Sequence, residues 1–409
     1  MSQVPNQFKV LYNSPKRYYL ITGGRASLKS TTVHDFIARL TFETGHGILF
    51  TRYTMTSAHK SIIPEFVGVL DRLGITNQFY ITKSKIVNLM SGSFILFSGI
   101  KTSSGDQTAN LKSLSGITTW VIEEGEDFND ERAFDKIDDS IRSNNRQNRV
   151  IWIQNPTTKE HFIYKRWIEP KSKQVDCMGH KVVVSNMNDV EHIHTTYHLA
   201  EHLGYLSDGW VNKAKRNEIE NPKHYYHNYI GGWLDKAEGV VYDNWQRGEW
   251  DKSLSWCFGL DFGFHPDETG MTKVAIDQKK KLFYIEEVLF QKELSTDGII
   301  KALRQRAKPN DLIIADNSEK RLIHDIRTSE GGFNIHPCVK GAGSIKKGIT
   351  DIHSYKIIVC GESNNLVKEL NNYVWNDKKS GVPCDSFNHL CDSFRYGFDR
   401  LNRQKIFVG

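Results

Sequence analysis

Tyr18-Tyr19-Leu20-Ile21-Thr22-Gly23-Gly24-Arg25-Ala26-Ser27-Leu28-Lys29-Ser30 is an apolar strand running into a glycine-bearing turn that ends in lysine and serine. In the phosphate-binding pattern G-x-x-x-x-G-K-[ST], Gly23, Lys29 and Ser30 fall in register, and Leu28 stands where the second glycine belongs. Backbone N–H groups from Gly23, Gly24, Arg25, Ala26, Ser27 and Leu28 could cradle phosphates, Lys29 could reach the β- and γ-phosphates, and Ser30 could hold Mg²⁺. Leu28 argues the other way, because glycine lets the backbone bend tightly against a phosphate. Two readings of this stretch stand side by side: a nucleotide site, or a tight strand-to-helix turn.

Working outward, the first half alternates strands and helices: strand Tyr18–Thr22, helix Ser30–Thr44, strand Gly47–Thr51 and helix Ser57–Leu73, with Pro64 in its first turn or at a kink. A hairpin over Ile86–Leu89 and Ser93–Phe97, strand Thr119–Glu123, helix Glu131–Ile141 and strand Arg149–Gln154 follow. Such alternation predicts a mostly parallel α/β sheet with ligands at the carboxyl ends of its strands. The middle is poorer in strand patterns, with helices expected around 198–206, 208–220 and 223–229. From Ser255 on, three strands (Trp256–Asp261, Lys273–Asp277, Lys281–Leu289), a helix (Thr296–Arg306), a strand (Leu312–Asp316) and two helices (Lys320–Arg327, Asn388–Leu401) give the order of an RNase H-like mixed sheet. The expected domains are 1–170, a small helical linker or hinge over 171–250, and 251–409.

A chain of 409 residues agrees with two or three domains. Its net charge of +6 gives weak support for a polyanionic partner. No apolar run is long enough for a membrane span, and no secretory leader pattern opens the chain. The six cysteines form no C-x-x-C pair, so reduced thiols are expected, and His192, His194, His198 and His202 lack the ligand pattern of a zinc site.

A phosphate loop needs a carboxylate at the end of a neighbouring strand, and Val121-Ile122-Glu123-Glu124 delivers two. Glu123 is expected to position Mg²⁺, and Glu124 to polarise the water that attacks the γ-phosphate; the alternative is an acidic helix start, since Glu126 and Asp127 follow. Arg25 could stabilise charge at the γ-phosphate or face DNA, and Arg52 is a second candidate. Asn155 either senses the γ-phosphate or closes its strand in an Asn-Pro turn.

In the second half, Asp261 and Asp316 end apolar strands and Asp392 lies on the last helix. Three carboxylates so placed can hold two Mg²⁺ or Mn²⁺ ions for phosphodiester hydrolysis. His389, about one helical turn before Asp392, either serves that site or is an ordinary surface histidine. Glu286 and Glu287 are further possible ligands, and Lys340, Lys346 and Lys347 possible phosphate contacts.

Taken together, Gly23–Ser30, Leu111-Lys112-Ser113-Leu114-Ser115-Gly116 with Glu123-Glu124, Asn155-Pro156-Thr157, Gly231-Gly232-Trp233 with Glu238–Tyr242, Asp261-Phe262-Gly263-Phe264, Gly343–Ile349 and His389…Asp392 resemble the large terminase subunit of tailed bacteriophages, across nearly the whole chain. The resemblance implies an ASCE-type P-loop ATPase joined to an RNase H-like nuclease. Such a motor uses ATP and Mg²⁺ to drive double-stranded DNA into a procapsid, and cuts concatemeric DNA with Mg²⁺ or Mn²⁺. It implies a homo-oligomeric ring on the portal protein and a small terminase subunit as partner. It also implies residence in the cytoplasm of the infected bacterium, transiently at the procapsid. The reading held beside it is a metal-dependent DNA nuclease whose nucleotide domain is degenerate at Leu28.

Overall fold

The structure is a computed structural model that describes residues 4–54, 62–102, 105–106, 116–237, 239–264, 267–341, 343–376 and 381–403. The chain divides into two compact units, Met1–Asp235 and Lys236–Gly409. Of the motifs quoted above, Leu111–Ser115 and Glu238 lie outside the described residues, as does the start of the helix expected from Ser57.

The first unit is built on β1 (Tyr18–Gly23), β2 (Gly47–Thr54), β3 (Phe79–Ile81), β4 (Lys85–Asn88), β5 (Phe94–Thr102), β6 (Gly105–Asp106), β7 (Ile117–Ile122), β8 (Arg149–Gln154) and β11 (Val190–Thr195), in the order β11-β1-β8-β7-β2-β5-β4-β3, with β6 on β5. The run from β11 to β5 is parallel, and β4 and β3 extend it antiparallel. Strands β7 and β8 are buried along their whole length, as a parallel strand covered on both faces must be. Alternate residues feed two cores: Tyr19, Ile21, Phe50, Val121 and Ile151 pack with Val33, Phe36 and Phe66, whereas Leu20, Trp120 and Trp152 pack with Phe134 and Trp167. Helices α1 (Lys29–Leu40) and α2 (Ile63–Leu73) cover the first face, with Pro64 in the first turn of α2, where its missing N–H costs nothing.

The middle segment carries more strand than its sequence suggests. A hairpin, β9 (Ser172–Cys177) with β10 (His180–Ser185), leads into β11, which pairs with β1 from Tyr18↔Val190 to Gly23↔Thr195. Polar His192 and His194 obscured that strand. Both are half-buried beside Thr22, whose hydroxyl lies 2.7 Å from His192 Nε2 and 2.8 Å from His194 Nδ1. The Ser185 N–H donates to His192 Nδ1, so His192 donates from Nε2 to Thr22; Thr22 then donates to His194, whose Nε2–H reaches the Ile230 carbonyl. Residues 171–250, expected as one linker, therefore fall on both sides of the division at Asp235.

The second unit holds β12 (Trp245–Arg247), β13 (Trp256–Asp261), β14 (Glu268–Asp277), β15 (Leu282–Lys292), β16 (Ile313–Ala315), β17 (Ile335–Pro337) and β18 (Lys356–Cys360), ordered β12-β18-β15-β14-β13-β16-β17. The meander β13–β14–β15 is antiparallel and the flanking pairs are parallel, the mixed sheet expected. Helix α3 (His389–Arg403) lies directly on β13 and β14. A methyl added at Gly259 would stand 1.8 Å from the Ser393 carbonyl, and one at Gly397 2.4 Å from Val274 Cγ2. The Ser393 and Thr272 hydroxyls, 2.8 Å apart, hydrogen-bond across this contact.

Gly259→Ala is expected to cost about 1–3 kcal/mol by forcing α3 off the sheet. Gly68→Ala, where the methyl meets nothing within 4 Å, should leave stability unchanged or raise it by up to about 1 kcal/mol. Calorimetric unfolding of the two variants checks this, and equal midpoints would show that the helix yields freely.

Candidate active sites

In the first unit the loop after β1 wraps around the Lys29 side chain. Lys29 Nζ donates to the carbonyls of Gly23 (2.9 Å) and Gly24 (2.7 Å), to Ser27 Oγ (3.0 Å) and to Asn155 Oδ1 (3.0 Å). All four acceptors are neutral. Burial accordingly pulls the ammonium below its ordinary pKa, with the charges of Glu126 and Glu123 opposing. Leu28 takes the left-handed conformation (φ 61°), as does Ala26 (φ 56°). The loop thus keeps a glycine-type bend without the glycine, at a cost of about 1–2 kcal/mol for each such residue.

The back of the loop is closed by residues 228–231. The Arg25 N–H donates to the Asn228 carbonyl at 2.8 Å. A methyl at Gly24 would stand 2.1 Å from the Tyr229 carbonyl oxygen, and one at Gly231 2.5 Å from Gly24 N. Gly231, which the sequence suggested as part of a hinge, is thus a wall of the phosphate loop. In front lies a cavity of about 680 Å³ lined by Arg25, Lys29, Ser30, Arg52, Glu123 and Glu124, among others. A buried lysine with only neutral partners, beside a carboxylate pair, suits a polyphosphate with its divalent cation.

Glu123 and Glu124 diverge at the end of β7. Glu123 is 5% exposed and accepts from His34 Nε2 at 3.2 Å. Burial alone would raise its carboxyl, but the His34 charge and bond, the Ser30 hydroxyl and Arg52 together hold it below the ordinary value. Glu124 has left-handed backbone (φ 50°) and forms an ion pair with Arg52. Glu126 does lie in a short helix start, Gly125–Asp127, where it is half-buried and accepts from Asn155 N (3.2 Å) and Asn155 Nδ2 (2.7 Å). Asn155 therefore links Lys29 to Glu126, and the charges on either side set its amide orientation.

In the second unit Asp261 is 7% exposed at the end of β13. Its Oδ2 lies 2.9 Å from His389 Nδ1, and its Oδ1 accepts from the Tyr396 hydroxyl at 3.2 Å. Burial pushes Asp261 up to about 6, opposed by His389 and reinforced by Asp392 and Asp316. Despite burial, the bond and charge of Asp261 raise His389 to about 9. Asp316 binds Lys340 and accepts from the N–H of Ser318 (3.1 Å) and its hydroxyl (2.9 Å). These bonds outweigh burial and hold its carboxyl below the ordinary value. Asp392 accepts from Arg395 Nη2 at 2.7 Å.

The three aspartates thus share an electrostatic neighbourhood, yet each is bonded to a cationic side chain of its own. Among the described residues, the group of His, Cys, Asp and Glu ligand atoms that all lie within 4.8 Å of one another is a different one, His34, Glu65 and Glu123. As a donor set, three carboxylates suit hard divalent cations. Glu287 instead bonds Asn365 Nδ2 and the Leu366 N–H, the start of another helix. Lys340 pairs with Asp316 rather than standing free.

Sequence reasoning passed over His34 and Glu369, and read Glu126 only as part of an acidic helix start. Glu369 is buried and its Oε2 accepts from the N–H groups of Leu390 (2.8 Å) and Cys391 (3.0 Å), capping α3 where His389 and Asp392 begin it. No motif marks it; a glutamate among Lys368, Leu370 and Asn371 reads as helix surface.

Residues 15–232 match the family described as "Phage terminase large subunit", and residues 261–400 the one described as "Terminase RNAseH like domain". The terminase large subunit of Bacillus phage SPP1 is 25% identical over 406 residues, covering 93% of this chain and 91% of that protein. The PBSX phage terminase large subunit of Bacillus subtilis (strain 168) is 23% identical over 406 residues, covering 95% and 92%. The HK97 bacteriophage large terminase structure matches with a TM-score of 0.52 at 10% identity, over 98% of this chain and 95% of that one, a likeness of fold alone.

Burial raises Glu369 from 4.5 to about 8, opposed by its bonds from Cys391 and Leu390 and by His389. The folded chain then holds this proton more tightly than the unfolded chain. Its contribution to stability is full below the unfolded value and is lost as pH rises through the folded one. Glu369→Gln should flatten the fall in melting midpoint between about pH 5 and 8 and unfold a few degrees higher above that range. Calorimetry over a pH series checks this, and identical slopes would show that another group is responsible.

Proposed function

The chain belongs to the phage terminase large subunit family, with ATPase and nuclease domains in a DNA-packaging motor, and from that premise we propose how its residues divide the work. The ATPase is assigned to the first unit, ending near Asp235 with 171–235 as its accessory segment, and the nuclease to the second. The observation that carries the ATPase reading is the linked set Lys29–Asn155–Glu126 beneath a cavity edged by Glu123 and Glu124.

ATP would lie with its phosphates against the N–H groups of Ala26 to Ser30, in exchange for part of the Lys29 shell, the Arg25 N–H being bonded to the Asn228 carbonyl behind the loop. Lys29 then moves its ammonium from neutral carbonyls to phosphate oxygens, a gain in charge pairing inside a buried site. Mg²⁺, when bound, neutralises phosphate charge and polarises the terminal phosphoryl group. Ser30 and Glu123 are the groups placed to hold it. Glu124 orients and polarises the attacking water once Arg52 leaves its carboxylate. The released Arg52 and the exposed Arg25 are then the cations available to the developing phosphoryl charge. Asn155 bonds the phosphate-binding lysine and the half-buried Glu126 carboxylate at once, so a shift of Lys29 towards phosphate changes what Asn155 can bond. Leu28 does not oppose this, since it already adopts the bend that a glycine would allow.

In the nuclease, Asp261, Asp316 and Asp392 would hold two Mg²⁺ or Mn²⁺ ions, which supply an activated water and stabilise the leaving oxygen. His389, bonded to Asp261, is placed to move a proton or contact the scissile phosphate. Lys340, displaced from Asp316, becomes available to the DNA backbone, whereas Arg395 is buried and remains beside Asp392. The excess of basic residues suits such sequence-independent contacts. The remaining partners proposed are double-stranded DNA, the portal protein, a small terminase subunit and further copies of this chain in a ring. The proposed setting is the host cytoplasm, with transient docking at the procapsid. Among the described residues no helix is long and apolar enough to cross a membrane.

Lys29→Ala and Glu124→Gln are expected to lower kcat for ATP hydrolysis by about 10²–10⁴-fold, measured with DNA and portal present. Asp261→Asn should abolish Mn²⁺-dependent plasmid cleavage and leave hydrolysis intact. Wild-type protein without ATPase activity under those conditions would favour the nuclease with a degenerate nucleotide domain. Cleavage retained by Asp261→Asn would move the metal site elsewhere.

A further inference from the structure

His34 is buried to 1% exposure in the middle of α1 and belongs to none of the motifs above. It follows Ser30 by four residues, so both side chains leave the same face of the helix that the phosphate loop starts. Both reach the same carboxylate: His34 Nε2 lies 3.2 Å from Glu123 Oε2, and the Ser30 hydroxyl also bonds Glu123. An ionised carboxylate only accepts, so Nε2 carries the hydrogen. The ring is held edge-on to Phe50 at 5.1 Å and tilted against Phe66 at 5.7 Å, rings contributed by β2 and α2. Glu65, also from α2, brings a second carboxylate within 4.8 Å of the pair. A neighbour of like charge would push the Glu123 carboxylate aside if nothing tied it down.

We propose that His34 is a positioning residue for the ATPase cation site: its Nε2–H holds one oxygen of Glu123 against repulsion from Glu65, so that the carboxylate stays aimed at the cation beside Ser30. The inference rests on the reading of Glu123 as the carboxylate that positions the nucleotide's Mg²⁺. It adds the means by which a buried side chain keeps one orientation. Outer-sphere partners of this kind govern metal affinity and activity by about 10–100-fold. The alternative is a core histidine whose polar atom happens to be satisfied, and it makes different predictions. A core residue would be served by any side chain that fills the space, whereas a positioning residue requires a donor at the place of Nε2.

The test uses the full chain with His34→Leu, His34→Gln, His34→Asn, Glu123→Ala and the double variant His34→Leu/Glu123→Ala. Two readouts are taken: affinity for a fluorescent ADP analogue in Mg²⁺ and in EDTA, and the Mg²⁺ concentration giving half-maximal hydrolysis at saturating ATP. Leucine, which fills the space without a donor, should leave affinity in EDTA unchanged. It should remove about tenfold or more of the tightening that Mg²⁺ confers, and raise the half-saturating Mg²⁺ about 10–100-fold. Glutamine, whose amide reaches the place of Nε2, should restore both, whereas asparagine, too short to reach, should behave as leucine does and serves in its place if leucine fails to fold. The double variant should respond to Mg²⁺ as Glu123→Ala alone does.

A folded His34→Leu or His34→Asn protein with the wild-type Mg²⁺ response would overturn the inference, as would glutamine failing as leucine does. If Glu123→Ala keeps the Mg²⁺-dependent tightening, the reading of Glu123 falls and the inference with it. If Glu123→Ala loses the tightening while the His34 variants keep it, only the role of His34 falls.

Discussion

The ammonium of Lys29 sits out of water among four neutral oxygens, from Gly23, Gly24, Ser27 and Asn155. A buried cation must be hydrogen-bonded to be tolerated, and here its partners are the loop itself and the residue after β8, the strand that pairs directly with β1. The loop is thereby drawn around the side chain, with Leu28 and Ala26 in left-handed backbone. Asn155, held by Lys29 on one side and Glu126 on the other, joins strand β8 to the loop. The tight contacts at Gly24 and Gly231 close the opposite side, where the presence of any Cβ would force the backbones apart. Nucleotide chemistry in this unit depends on that lysine having a better partner to move to.

The nuclease unit meets its own electrostatic problem differently. Three aspartates near one another cannot all be ionised and unpartnered at low dielectric, so each takes a cation: His389 for Asp261, Lys340 for Asp316 and Arg395 for Asp392. The helix α3, which carries three of these six groups (His389, Asp392 and Arg395), needs a fixed seat. Gly259 and Gly397 let it touch the sheet, and Glu369 caps its first turn. These contacts explain why side chains far apart in sequence reach one another with hydrogen-bond geometry.

Much of the fold was legible beforehand because its central strands have one environment. Arg149–Gln154 and Trp256–Asp261 are apolar runs that can only be buried strands, and both form with those bounds. The strand Val190–Thr195 was hidden because its core-facing positions include two histidines, which become acceptable only once Thr22 is beside them. The strands Ile335–Pro337 and Lys356–Cys360 and the helices Ser344–His353 and Asn364–Asn372 were also unread. The strands are short, and tertiary packing rather than local preference decides such segments.

What the linear chain determined by itself is local: a strand, a bend that frees N–H groups, a lysine and serine one residue apart, and carboxylates at strand ends. Their spacing along the backbone is covalent, so no folding partner can alter it. Which carboxylate points where is a different matter. Adjacent Glu123 and Glu124 part company: Glu124, in left-handed backbone, pairs with Arg52, while Glu123 bonds His34 and Ser30. Only the tertiary structure decided this, because the energy of a buried charge depends on the groups brought to it from elsewhere in the chain.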